Sequence, residues 1–413
     1  MAIRGAIHRQ RSHPGLSLAL LTMAAFVLAA GTAYMEAELR SKTPVETGPG
    51  QVNLGGGKLP GAGAYVPAYD LSSDPVFPTL RIGYAIESHT TKAGTSEQLA
   101  RSDDGGKSWR LVRPFPFPNG YSQVQFFSLE DGYAFGPSGL ALTTDGGGSW
   151  TVGATLGGTL ERVTPISDNV WATYTVCEGF PVTSTTMCNV RLAVSRDGGR
   201  HWSTAAAPSP LSEARSGGDI LARYSLDTAY IVSYGVTGGG GLAVTRDDGR
   251  TWQKMPDPCS AWQTVDMATV PGGVIWMICG GAPVMSGQAS AKAVFQSYDS
   301  GRRWTLESYT GFGPATATWG SIAPVGNLWY SGQLSQLATI SLGRAWIGVS
   351  GVGVLITSDD GKNWHLAEGL HDDGQDTGVG VTFNNADDGW AIEFHEAVWR
   401  TSDALHWQLI DGK

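Results

Sequence analysis

Short apolar strands and turns alternate along most of the chain, and no helical heptad runs through it. Seven strands centre on an aromatic residue: RIGYAI (Tyr84), EDGYAF (Tyr133), DNVWAT (Trp171), DTAYIV (Tyr230), GVIWMI (Trp276), GRAWIG (Trp346) and DDGWAI (Trp390). Each is followed by another strand, such as LALTTD or GVLITSD, then by a turn and a further strand-like segment. An inner strand precedes the aromatic one, as VQFFSL precedes DGYAF and VGVTFN precedes DGWAI. The unit is therefore four strands, repeated about every 50 residues.

The turns repeat too. SDDGGKSW (Ser102 to Trp109) returns as TTDGGGSW, SRDGGRHW, TRDDGRTW, SYDSGRRW and TSDDGKNW, with a worn seventh copy, TSDALHW, ending at Trp407. Adjacent aspartates on a glycine turn invite a calcium reading, but the kept Asp has no fixed acidic neighbour: the residue after it is Gly146, Gly198 or Ser300 in other copies. A calcium loop needs several oxygens at every site. What is kept is Ser/Thr, then Asp, Gly and Trp, which describes a hairpin turn: the carboxylate accepts backbone N–H groups, the glycine supplies positive φ, and the hydroxyl bridges the arms. Asp104, Asp145, Asp197, Asp247, Asp299, Asp359 and Asp403 are thus structural, and each tryptophan is expected to plug its turn into the interior of its own blade.

Seven four-stranded units close into an all-β propeller, which leaves no long unpaired sheet edge. The pattern Ser/Thr-x-Asp-x-Gly-x-x-Trp is identified as the Asp-box (BNR-type) repeat. The spacing from DGWA to the box resembles the photosystem II assembly factor family of seven-bladed propellers. Sialidases, xyloglucan-cleaving hydrolases and sortilin-type receptors carry similar boxes. The resemblance covers about residues 65 to 413; it implies the fold, places the boxes at the blade periphery away from ligand sites, and leaves the activity open.

Composition agrees with short strands and tight turns: 57 Gly and 15 Trp, with 16% charged residues. The net charge of −9 and the scatter of the 28 basic residues exclude a nucleic-acid surface. Residues 1–13 form a basic tail with Arg4, Arg9 and Arg11, and 14–35 are an apolar run long enough to span a bilayer. The run predicts a transmembrane helix, although Gly31-Thr32-Ala33 is a pattern that signal peptidase can cut. A Gly/Pro-rich linker at 36–63 then leads to the propeller at 64–413. The propeller is expected to be extracytoplasmic, membrane-anchored if the helix is retained and secreted if it is cleaved.

Four cysteines suit an exported chain. Cys177 and Cys188 bracket one loop, Cys259 and Cys279 flank a hairpin, and no C-x-x-C occurs, so two local disulfides are expected. The segments HTTKAGTSEQ and GGAPVMSGQAS read as insertions crowning one face. Aligning GYAIESH with GWAIEFH matches Glu87 to Glu393 and His89 to His395. Because blades 1 and 7 meet at ring closure, these four with Glu396 form a candidate patch for a divalent metal or a cationic partner, the alternative being solvated loop residues. Tyr309, Phe312, Trp319, Trp329 and Tyr330 are candidate exposed aromatics of blade 6, suited to a glycan or peptide. HEAVW is not a zinc-protease motif, since Trp399 stands where the second histidine must be. A sialidase-like site would need converging arginines, and Arg81, Arg162, Arg191, Arg223 and Arg344 are the candidates outside the boxes.

These features select no catalytic residues, require no cofactor and leave any metal undefined. The reading is a monomeric, membrane-tethered scaffold for a protein or glycan partner, the alternative being an exported glycoside hydrolase.

Overall fold

The computed structural model describes residues 63–412 apart from 68–69, 92–93, 115–122, 138, 154–155, 178–187, 206–218, 234–240, 261–262, 271, 281–290, 311–324, 329–332, 371–378 and 394–396. Seven four-stranded antiparallel sheets follow one another along the chain as the blades of a propeller. Blades 2 to 7 occupy 123–152, 159–205, 219–255, 263–310, 333–366 and 379–412. In each the strands pair in chain order, as in blade 2: Gln123–Phe126, Asp131–Gly136, Gly139–Thr144 and Thr151–Val152.

Blade 1 is built differently. Its sheet contains Gly83–Thr91, Gly94–Ser102 and Trp109–Pro114, with Tyr65–Val66 added beyond the last of these. The inner position is taken by 71–76, held to the aromatic strand through bridges at Leu71↔Glu87 and Val76↔Tyr84. Blade 7 comes wholly from 379–412 and blade 1 from 65–114, so the ring closes without a shared strand.

Side chains alternate between the two faces of a strand, so each blade presents one apolar face to each neighbour. The core is correspondingly divided into seven clusters, one per junction. The aromatic of each second strand faces the next blade, and the turn tryptophan faces the preceding one. Trp276 and Trp364 meet between blades 5 and 6, Trp346 and Trp407 between 6 and 7, and Trp390 and Trp109 between 7 and 1. The turn tryptophans thus pack between blades rather than inside their own, because a single sheet has no interior to receive them.

The turns repeat atom for atom. The Asp104 carboxylate accepts Ser102 Oγ–H at 2.9 Å and Ser108 N–H at 2.9 Å, and Ser102 Oγ accepts Gly106 N–H at 2.8 Å. The same set recurs around Asp145, Asp197, Asp247, Asp299 and Asp359. Two consecutive residues of each turn have positive φ. The first tolerates Asp248, Ser300 or Asp360 at 60 to 63°, whereas the second is always glycine in the full-length copies. At Gly361 and Gly249 the neighbouring blade is the reason. A Cβ on Gly361 would lie 2.9 Å from the Trp276 ring, and one on Gly249 would lie 3.3 Å from Trp171.

Candidate functional site

The turn face is occupied by structural contacts. Trp390 Nε1–H donates to Gly105 O at 3.0 Å, Trp346 Nε1–H to Ala404 O at 3.2 Å, and Tyr133 Oη–H to Gly198 O at 3.2 Å. The arginines considered for a substrate carboxylate are dispersed. Arg223 lies 4.6 Å from the Trp171 ring and donates to Thr164 O and Asn169 O, while Arg344 donates to Ala386 O. Arg81 lends its carbonyl to Gly105 N–H, and Arg191 is exposed on the third strand of blade 3. Three of them therefore serve the turn face, and no converging arginine set forms.

The opposite face carries the links between second and third strands. In blade 1, HTTKAGTSEQ belongs to the strands themselves apart from Lys92 and Ala93, which lie outside the described residues: Gly83–Thr91 pairs with Gly94–Ser102 from Gly83↔Ser102 to Thr91↔Gly94. The insertion expected there takes the form of a paired extension of the hairpin, whose β-branched threonines extend the ladder. Blade 3 has a similar long hairpin, Asn169–Cys177 against Cys188–Ser195. Its last pair is Cys177↔Cys188, and Cys177 is disulfide-bonded. Cys259 and Cys279 form the other expected bond, with Cα atoms 5.5 Å apart. GGAPVMSGQAS lies outside the described residues except Gly280 at its border.

Glu87 and Glu393 lie in strands and are buried, not solvated. They do not meet. Glu87 pairs with Leu71, whose side chain belongs to the junction between blades 7 and 1. Glu393 pairs with Val379 and Ala397, both in the junction between blades 6 and 7. Equivalent positions in successive blades face the same way around the ring, so two aligned carboxylates always enter different junctions. The His89 side chain, His395, Glu396, Trp319, Trp329 and Tyr330 lie outside the described residues, as does Phe312. Tyr309 is described, but in the outer strand of blade 5 and fully buried. Among the described residues no three His, Cys, Asp or Glu side chains gather closely enough for a metal ion.

The inner rim is a feature that strand alternation alone did not reveal. The inner strands of blades 3, 5 and 6 each carry a bulge, after which Arg162, Asp266 and Gln336 occupy equivalent positions. Asp266 Oδ2 accepts Leu337 N–H from the next blade at 3.0 Å, and Gln336 Oε1 accepts Val381 N–H at 2.8 Å. Blade 7 has Gly380 at the corresponding place, and Asp74 of blade 1 reaches over it. Burial raises the Asp266 pKa, with Arg162 opposing the shift, and burial alone pushes Asp74 up to about 6. Lys292, fully buried beside the Cys279 strand, is pushed down to about 8 by burial. A polar residue one step from the inner-strand core position is the only signal in the sequence, and it resembles any exposed strand residue.

No family model matches the chain, and no curated protein matches its sequence. Solved structures do. YCF48 bound to a D1 peptide is 16% identical with a TM-score of 0.52, over 82% of this chain and 95% of that one. YCF48 from Cyanidioschyzon merolae is 14% identical with a TM-score of 0.54, over 83% and 99% respectively. An ancestral GH74 enzyme is 15% identical with a TM-score of 0.58, over 85% of this chain but 47% of that enzyme, so the chain spans about half its length. At such identities the likeness is one of fold, and the chain is a seven-bladed β-propeller of the architecture that these proteins share.

Proposed function

We propose that this chain is an extracytoplasmic Asp-box propeller, tethered to a membrane through residues 14–35, that acts as a protein-binding or assembly scaffold. The observation that carries the reading is the pair of long hairpins on one face, in blades 1 and 3, one paired as far as Thr91↔Gly94 and the other ending at a disulfide-bonded Cys177. Recognition segments carried on a rigid ring are already ordered before a partner arrives, so less conformational entropy is lost on binding. Disulfides fit an oxidising compartment. The peptide in the YCF48 complex is a precedent for a protein segment held by a propeller of this architecture. Glycosidic cleavage would require two carboxyl groups roughly 5 to 10 Å apart at one pocket. Glu87 and Glu393, separated by the width of blade 7, do not supply that pair.

The test is in-membrane cross-linking of the full chain followed by mass spectrometry. It compares wild type with a variant in which 90–95 are replaced by Asn-Gly, a two-residue hairpin turn. A partner lost in the variant at unchanged melting temperature supports the reading. The same partner captured at the same yield removes the blade 1 hairpin from it.

A further inference from the structure

Every junction but one is spanned by the chain passing from one blade directly into the next. The junction between blades 7 and 1 is made by side chains: Phe77 stacks on Trp390 at 3.8 Å, and Trp390 donates to Gly105 O. Asp74 enters its inner edge. Although the residue as a whole is only half-buried, its Oδ1 is shut off from solvent and has no hydrogen-bond partner. That oxygen lies 2.4 Å from where a Cβ on Gly380 would stand, and Gln336 Oε1 lies 3.3 Å from the same point. Asp266 and Gln336 spend their oxygens on backbone N–H groups of the next blade, but beside Gly380 the Val381 N–H is already taken by Gln336, and Pro75, at the donor position of blade 1, has no N–H.

A carboxylate with one oxygen buried and without a donor carries part of the cost of desolvation, whereas the neutral acid carries far less of it. Among the described residues no cation offsets that cost. On the segment of Asp74 itself the nearest titratable residue is Asp70, and the aromatic strand of blade 1 contributes Glu87 to this junction. The inner strands Val379–Phe383 and Gln333–Thr339 contain no titratable side chain. Glu393 faces the other side of blade 7, and Arg162 and Asp266 interact with each other farther along the rim.

We infer that Asp74 is a proton-dependent latch of the ring: the neutral carboxyl seats blade 1 against blade 7, and its ionisation loosens the closure. Burial is the sole cause of the raised pKa, about 6. The sign follows from linkage. The folded ring holds this proton more tightly than an unfolded chain, where the pKa is about 3.9, so closure is strongest below that value. It weakens as pH rises to about 6 and is level above.

Hydrogen exchange on the full chain in detergent, corrected for intrinsic rates, reads closure directly as protection of 379–393 relative to 219–233 in blade 4. Between pH 4 and 7.5 the wild-type ratio should fall by roughly ten- to hundredfold. Asp74→Asn, isosteric and never charged, should show a flat ratio. An equal fall in wild type and variant would overturn the latch, and so would a flat wild-type profile. Should the asparagine variant fail to fold, Asp74→Ser provides the same comparison, with the wild-type profile decisive by itself.

Discussion

The two faces of the propeller hold their carboxylates in opposite ways. On the turn face each kept aspartate accepts several donors: Asp104 accepts Ser102 Oγ–H, Ser108 N–H and Ser108 Oγ–H, and the first two of these recur from blade to blade. At the inner rim and closure the acids are used singly: Asp266 bridges two blades, and Asp74 leaves one oxygen without a donor. Repetition on the first face marks what the fold needs in every blade. Departure from repetition marks where one blade does something that the others do not.

The largest effects should come from the layer shared by both faces. Trp276→Ala and Trp390→Ala each empty a fully buried site between blades, and a loss of about 3–5 kcal/mol is expected from denaturant unfolding. If Trp390, at the closure, costs no more than an exposed tryptophan, the ring is not sealed there. Next comes Cys259→Ser with Cys279→Ser. The bond closes a loop with a sequence separation of 20, and opening it should cost about 3 kcal/mol by calorimetry. Asp104→Ala should cost about 1–2 kcal/mol, because backbone and hydroxyl donors lose their acceptor. An equal loss for Asp103→Ala, the copy-variable neighbour, would erase the distinction between kept and free acids.

Acid titration separates the faces by sign. Burial pushes Asp104 up, but hydrogen bonds from Ser108 and Ser102 outweigh it and leave the pKa lowered; bonds from Thr251 hold Asp247 at about 2. A depressed folded pKa gives stability that is present above about pH 4 and lost as pH falls through the folded value. Asp74 contributes in the opposite direction, its effect lying between about pH 4 and 6. Melting temperature against pH should therefore drop on the acid side in wild type, and Asp247→Asn should make that drop shallower. The smallest expected effect is that of EDTA, since the kept aspartates are satisfied by donors: the melting temperature should not move. A fall as large as that of Asp104→Ala would restore the calcium reading of the turns.

The repeat was legible because the turn chemistry is local. Ser/Thr, Asp and Gly bond within one turn, so their spacing survives in every copy. One further feature is kept in character rather than in identity. The residue before each tryptophan is Ser108, Ser149, His201, Thr251, Arg303, Asn363 or His406, and most of these donate a side-chain hydrogen bond to Asp Oδ2. Identity varies there while donor character does not, so a search for identical letters passes over it. Glu87 and Glu393 show the converse: alignment made them equivalent, and equivalence is what sends them to different junctions.

The sequence by itself determined the strand count, the turn positions and the seven-fold closure, because alternation and turn hydrogen bonding act over a few neighbouring residues. Only the tertiary structure decided that the tryptophans pack between blades, that Gly199, Gly249 and Gly361 lie against the aromatic of the preceding blade, and that Asp74 lies over Gly380. These contacts join residues far apart in the chain, Trp390 and Gly105 being separated by 285 positions. What sets each member of such a pair apart is which blade the ring brings beside it.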